Sequence, residues 1–448
     1  MRLKPYIDIA KLVWPLALGM LNNAVLQFVD GVFLARESLE SLEASLPASM
    51  LAVLVMGFFQ SVVAYSGTFV AQYHGAGGSS GMRTSYRAGL VITLAAGLLA
   101  VAIVPLGLQV APFMSGNAAV VERASSYYSI VSFGAVALCG QMAASSYFTG
   151  RGRTRIVFWV NVLGNAVNIA LDPILIFGLF GCPRFGMAGA AYATVFAMFV
   201  QWGILGWFAE RDLRALPEDG AADAPRLWPL VGKVLRYGVP SGAYSALNIL
   251  SFTVFVFLTG RVGDMACAVS TAVLSVNYLL YAPVEGFSVG VGTLVGQCQG
   301  AGDPDGAAQA ARRTLLLAEL YISVASLSVL AFYRPILSLF VADATAFDPA
   351  AFYSLGLVLF VLMVAWQCFD CADVVLSGAL KGAGDTRFVM LWMLFCAFGF
   401  WMPLLFLVYW RHPTMPALWS TMIAYVALIC IGTWIRWRHG PWRNIKLV

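Results

Sequence analysis

The chain has 448 residues, of which 60% are hydrophobic and only 11% charged, with a net charge of +5. A soluble protein of this length needs far more charge to cover its surface, so a soluble globular fold is excluded. The positive balance suggests nucleic acid as a partner, yet the cations sit at the ends of apolar segments, where the positive-inside bias of membrane proteins accounts for them.

Twelve apolar segments follow one another, and many reach the roughly 20 residues that a helix needs to cross the hydrocarbon core. The predicted spans lie at 10–36, 45–73, 88–114, 120–148, 156–182 and 187–209, then at 234–260, 266–298, 313–341, 349–380, 388–410 and 414–436. Several exceed 25 residues, which predicts tilt, kinks or extension beyond the bilayer. Span 1 contains Pro15, Asn22, Asn23 and Asp30, so it reads as a spanning helix and not as a cleaved leader. With both termini cytoplasmic, 21 Lys and Arg residues fall inside and only six outside: Arg36, Arg123, Arg184, Arg261, Arg334 and Arg411. The expectation is a multi-pass protein of the cell's inner membrane with both ends in the cytoplasm.

The chain also repeats itself. Gly67-Thr68-Phe69-Val70-Ala71-Gln72-Tyr73-His74-Gly75-Ala76-Gly77 matches Gly292-Thr293-Leu294-Val295-Gly296-Gln297-Cys298-Gln299-Gly300-Ala301-Gly302, 225 residues later. Gly150-Arg151-Gly152-Arg153-Thr154-Arg155 matches Gly382-Ala383-Gly384-Asp385-Thr386-Arg387, 232 residues later. Two copies of a six-helix unit entering the membrane in the same direction imply a pseudo-two-fold along the membrane normal. The fold class is therefore all-α integral membrane, with twelve transmembrane helices in two six-helix lobes. The lobes are assigned to residues 1–210 and 229–448, with a cytoplasmic linker at 211–228. Two lobes in one chain suffice for a working monomer.

Acidic groups inside the hydrocarbon region are costly and mark function. Asp30, Asp172, Glu285, Asp370 and Asp373 stand out, each with polar neighbours at helical spacing. Span 1 carries Asn23, Gln27 and Asp30; span 5 carries Asn161, Asn165, Asn168 and Asp172. Span 8 offers Tyr278, Tyr281, Glu285 and Ser288, and span 10 offers Gln367, Asp370, Asp373 and Ser377. Such stripes line an interior cavity or bond to another helix. A buried carboxyl whose charge depends on solvent access is what proton coupling requires, and carboxylate and amide oxygens equally suit Na⁺. Counted from the cytoplasmic end, Asp172 lies about 17 and Asp30 about 20 residues in, which at ~1.5 Å per residue puts both in the outer half of the membrane. They are candidates for one shared pocket.

These residues carry a family resemblance over essentially the whole chain. Gln27-Phe28-Val29-Asp30-Gly31-Val32-Phe33-Leu34-Ala35 resembles the segment that bears the essential aspartate of multidrug and toxic compound extrusion (MATE) transporters. Asn168-Ile169-Ala170-Leu171-Asp172-Pro173-Ile174-Leu175-Ile176-Phe177-Gly178 is similar to the DinF-type branch, where the Asp and the Asn one turn earlier join the cation site. Gly186-Met187-Ala188-Gly189-Ala190-Ala191-Tyr192-Ala193-Thr194 is also typical of the family. Span 10, from Gln367-Cys368-Phe369-Asp370 to Ser377-Gly378-Ala379-Leu380-Lys381-Gly382, resembles NorM-type transporters. Span 7 departs from them: Gly238-Val239-Pro240 is followed by Asn248 where a glutamate is usual.

The resemblance implies an antiporter that exports organic, cationic and amphipathic compounds in exchange for H⁺ or Na⁺, with no cofactor beyond that ion. It implies Asp30, Asn168 and Asp172 as ion-coupling residues, with Asp370 next. Gln27, Asn165, Thr194, Tyr244, Asn248, Tyr281, Glu285, Gln367 and Asp373 are cavity candidates. Tyr244, Tyr278, Tyr281 and Trp366 suit stacking on a flat cation or, equally, plain packing. A flippase for a lipid-linked precursor is the nearest rival, but it needs cations in the cavity. An intramembrane protease is the other: Gly382-Ala383-Gly384-Asp385 spells GxGD, but Gly300-Ala301-Gly302-Asp303 spells it again in an equivalent turn. The Cys368–Cys371 pair lies within span 10 with no second pair, and reads as apolar packing.

Overall fold

The structure, a computed structural model, describes residues 4–110, 112, 117–217, 225–340 and 348–448. The first copy contains α1 (Lys4–Glu37), α2 (Leu39–Ala64), α3 (Ser66–Gly75), α4 (Ser79–Val110), α5 (Ala118–Phe133), α6 (Ala135–Gly150), α7 (Thr154–Phe177) and α8 (Met187–Arg214). The second contains α9 (Leu227–Thr259), α10 (Asp264–Gly300), α11 (Pro304–Ala331), α12 (Tyr333–Ser338), α13 (Pro349–Ala383), α14 (Thr386–Leu394), α15 (Met402–Arg411) and α16 (Met415–His439). Among the described residues, eleven helical stretches are long and apolar enough to cross a membrane, and α5 with α6, bent by 49°, makes a twelfth. The chain is an all-helical, multi-pass membrane protein of twelve spans.

The helices differ from the predicted spans chiefly where they run past the apolar segments into polar sequence. α11 begins at Pro304, nine residues before the predicted start, because Asp305–Arg313 is polar but rich in good helix formers. Hydropathy reports the bilayer, whereas the helix runs beyond it. Starts and stops follow local chemistry. The Ser38 and Asn117 side chains accept from backbone N–H groups at the starts of α2 and α5. Asp348 does the same for α13, with Pro349 at the first helical position. Gly178 (φ 74°) and Gly384 (φ 99°) end α7 and α13 in the left-handed conformation that glycine adopts without strain. Four predicted spans are interrupted: span 2 at Tyr65, span 4 at Gly134, span 9 at Phe332, and span 11 by a π-helical stretch over Phe395–Trp401. Residues 218–224 of the predicted linker, 111, 113 and 114 of span 3 and 341 of span 9 lie outside the described residues.

Packing divides the chain into two compact units. One comprises Met1–Val13, Leu247–Val295 and Pro304–Ile445; the other Trp14–Ala246, Gly296–Asp303 and Lys446–Val448. The Trp14–Ala246 unit has one core around Tyr86, Tyr147, Phe148 and Leu205, and a second around Leu34, Ala44, Val120, Ile176 and Met187. The other unit is centred on aromatics: Trp366 stacks on Trp419 with centroids 5.0 Å apart, and Trp401 on Tyr425 at 4.4 Å.

The repeat is visible in the packing. A Cβ placed on Gly67 would lie 2.7 Å from the carbonyl oxygen of Ser146, and one on Gly150 2.6 Å from that of Gly67. In the second copy the equivalent Gly292 approaches the carbonyl of Gly378 (3.0 Å from a would-be Cβ), and Gly382 meets the carbonyl of Gly292. The two copies also meet each other: a Cβ on Gly75 would strike the Gln297 carbonyl, and one on the matching Gly300 would strike that of Gln72. Gln297 Nε2 donates to the Gly150 carbonyl at 2.8 Å, fixing that crossing.

Candidate functional site

α1 and α7 supply the two carboxylates of the first copy. Each helix has one proline in its interior, Pro15 in α1 and Pro173 in α7. Pro173 follows Asp172 directly, so the N–H that would bond the Ile169 carbonyl is missing at the functional residue. Asp172 is completely buried and Asn168, one turn earlier, is 1% exposed. Asp30 faces Asp172 closely enough for each carboxyl to act on the other.

The surrounding groups are arranged so that acceptors go unmatched. The Asn168 amide donates to Thr194 Oγ1 at 3.4 Å, and Thr194 in turn donates to the Ala190 carbonyl at 2.9 Å. This leaves Asn168 Oδ1 without a partner among the described residues, together with Asp30 Oδ1 and both Asp172 oxygens. All four are acceptors. A buried cluster of acceptors lacking any donor is satisfied by a proton or by a small hard cation, and by no ordinary side-chain partner. The Tyr127 hydroxyl, on α5, borders the same pocket beside Thr194 and within the field of both carboxyls.

One turn deeper, Asn165 Nδ2 donates to Asn23 Oδ1 at 3.1 Å and to the Asn22 carbonyl at 3.4 Å, joining α7 to α1. Gln201 donates to Asn165 Oδ1 at 3.5 Å, and Gln141 to Asn161 Oδ1 at 3.1 Å. The asparagine stripe is thus partly a clamp between helices. Gln27, predicted to share the pocket, is exposed. At the carboxyl-terminal end of α1, the Glu37 carboxylate accepts from Ser38 at 2.8 Å, from Ser41, from Arg123 at 3.4 Å and from Arg184 at 3.2 Å. Glu37 is 7% exposed and ties the Asp30-bearing helix to α2, α5 and the segment before α8.

The structure therefore brings Asp30, Asp172, Asn168, Asn165 and Thr194 together and places Asp370 in the other unit. Asp370 is half-buried in α13, within the fields of Asp373 and Glu285. Asp373 is buried and fully engaged, its Oδ1 accepting from Thr433 at 2.8 Å and from Ser377 at 3.4 Å. Gln367 is also enclosed: Ser326 donates to its Oε1, and its Nε2 donates to Asn277 Oδ1 at 2.7 Å. Glu285 and Asn248 are exposed and Tyr281 half-buried. Tyr244 belongs to the other unit from Asn248 although both lie on α9. Trp366 is buried against Trp419, a packing residue.

Three residues that bear on these sites escaped the sequence reading. Tyr127 carries no charge and lies outside the acidic stripes. Lys381, taken as a helix-end cation, stands in the field of Glu285 and Asp373. Glu319, in the middle of α11, sits in the run Leu315-Leu316-Leu317-Ala318-Glu319-Leu320. The rule that an acid inside a span is functional finds it, with Ser323 and Ser326 following at steps of four and three.

The MatE family model matches residues 15–174 and 240–407. A multidrug resistance protein, NorM, of Burkholderia vietnamiensis is 27% identical over 398 residues, covering 88% of this chain and 84% of the relative. The multidrug resistance protein PmpM of Pseudomonas aeruginosa is 26% identical over 449 residues, covering 98% and 92%. Among solved structures, a multidrug resistance MATE family transporter of the MOP superfamily in its outward-facing conformation superposes with a TM-score of 0.84 at 19% identity, covering 97% of this chain and 95% of that one. A MATE protein in its bent conformation superposes with a TM-score of 0.83, also at 19% identity, covering 97% and 95%.

Proposed function

Since the chain belongs to the MatE family, we propose that it exports organic, predominantly cationic drugs as an antiporter driven by H⁺ or Na⁺, with the Asp30–Asp172 pair as its coupling site. The family is one of transporters, so the GxGD turns at Gly300–Asp303 and Gly382–Asp385 have no proteolytic role. The observation that carries the reading is the set of four unpartnered acceptor oxygens on Asp30, Asp172 and Asn168.

Two carboxyls that face each other without a cation need a positive species between them. A proton on one oxygen, or a Na⁺ held by the carboxylates and the Asn168 carbonyl oxygen, supplies it. Filling the pocket removes the negative charge that holds a cationic drug, so ion and substrate favour different states and the ion gradient drives export. Asn165, through Asn22 and Asn23, transmits the change to α1, whose inner half carries Pro15 and the unpacked Gly19. We place the protein in the inner membrane as a functional monomer, with both termini cytoplasmic and two lobes at 1–210 and 229–448.

The test is efflux of a fluorescent organic cation from proteoliposomes under separately imposed pH and Na⁺ gradients, with wild type and Asp30→Asn. Efflux driven by one gradient and lost in the variant supports the reading and names the ion. Efflux that survives the substitution overturns the coupling assignment, and the absence of efflux across several cations turns attention to a lipid-linked precursor.

A further inference from the structure

Glu319 is an acid inside a span that the transport reading leaves unused. It lies 15 residues into α11, about 22 Å along the helix axis, and well within the apolar part of Pro304–Ala331. Its Oε1 is buried and has no hydrogen-bond partner among the described residues. No ion pair among the described residues involves it. The group beside its carboxyl is the Cys371 thiol of α13.

Among the described residues, the neighbourhood contains titratable groups and no cation paired with Glu319. On α13, Cys371 stands between the fields of Glu319 and Asp370, and Cys368, beside Ser323, also faces Glu319. Cys430 of α16 lies in the field of Glu319 as well. On α11 itself, Tyr321 donates its hydroxyl to the Leu280 carbonyl of α10 at 3.2 Å and lies in the field of Cys371. Two turns further along α11, Ser326 joins the Gln367–Asn277 chain across the same α11–α13 face. A weak thiol donor on one side and an empty oxygen on the other are a poor environment for a full negative charge in hydrocarbon. They are a good one for a carboxylic acid, whose O–H supplies the missing donor. A single carboxyl beside a thiol offers a hard cation few oxygen ligands, whereas one proton satisfies it, so a proton suits this site.

We propose that Glu319 is a second proton-binding site, built into the carboxyl-terminal copy between α11 and α13 and separate from the Asp30–Asp172 pair. The site is defined by its own surroundings and does not rest on the antiport reading.

The experiment is infrared spectroscopy of the protein in lipid, recorded from mildly acidic to mildly alkaline pH. It uses the Asp30→Asn/Asp172→Asn background so that the first pocket contributes no acid band. A protonated-carboxyl C=O stretch present at neutral pH, lost in Glu319→Gln and displaced in Glu319→Asp, establishes the site. Identical acid bands with and without Glu319 across the range overturn it. Should the glutamine variant fail to fold, the same protein with Glu319 intact is treated in vesicles with dicyclohexylcarbodiimide. This reagent adds across a protonated carboxyl in apolar surroundings and stays bound as an N-acylurea. Peptide mass spectrometry that finds the adduct at Glu319, fading as pH rises, supports the proposal; an unmodified Glu319 overturns it. None of these readouts involves efflux, so the result stands whether or not the coupling assignment survives.

Discussion

The carboxyl groups of Asp30 on α1 and Asp172 on α7 face each other, and three of their four oxygens have no hydrogen-bond partner among the described residues. Asp172→Asn places an amide donor opposite Asp30 and removes one buried acid. The variant is therefore expected to gain about 1–3 kcal/mol of stability while losing gradient-driven efflux. Thermal unfolding in detergent and the proteoliposome assay read the two effects separately. A variant that is less stable and equally inactive would point to a fold defect.

Glu37 tests the carboxyl-terminal anchor of α1. Glu37→Ala strips the acceptor from Ser38, Ser41, Arg123 and Arg184. Because Arg184 is largely exposed and Arg123 partly so, solvent weakens those pairs, and a loss of about 1–3 kcal/mol is expected. Glu37→Gln keeps the acceptor oxygen and should fall between wild type and alanine in melting temperature.

Asp373 is expected to support the fold of α13 and α16. Asp373→Ala and Thr433→Val each break the same 2.8 Å bond, so their costs should overlap when combined, with a coupling of about 0.5–3 kcal/mol in a double-mutant cycle. Ion dependence of efflux should be unchanged in either variant. A shift in the coupling ion would instead make Asp373 part of the transport cycle.

The repeated glycine contacts give a ranking. Gly67→Ala puts a methyl carbon 2.7 Å from a backbone oxygen, whereas Gly292→Ala puts one at 3.0 Å. Both crowd the helix crossing, at a cost of about 1–3 kcal/mol, and the first should lower the melting temperature more. Equal or reversed effects would show that the second copy is the more tightly packed.

The twelve spans and the Asp30–Asp172 pocket were legible because hydrocarbon penalises charge so heavily that each buried acid is conspicuous, and depth along two helices then places a pair. The interruption at Tyr65 was not legible, since neither glycine nor proline marks it. Tyr127 was hidden because a phenol in an apolar helix is unremarkable until its neighbours are known. The engagement of Asp373 depended on Thr433, 60 residues away, a pairing no local pattern encodes. Glu319 was legible by the same rule, since Ser323 and Ser326 follow it at steps of four and three, but the thiol of Cys371 beside it was not.

The crossing of Gly75 with Gln297 and of Gly300 with Gln72 has the reciprocity of an isologous interface, in which residue i of one copy meets j of the other and j meets i. Such contacts arise when two identical subunits pair about a two-fold axis. In a homodimer every substitution at that crossing strikes twice, so neither glycine can change without the other. Within one chain the two sides are separate codons. The first copy is then free to accumulate the asparagine stripe and paired aspartates, and the second its thiols and lone glutamate, while both retain the glycines by which they still meet as equals.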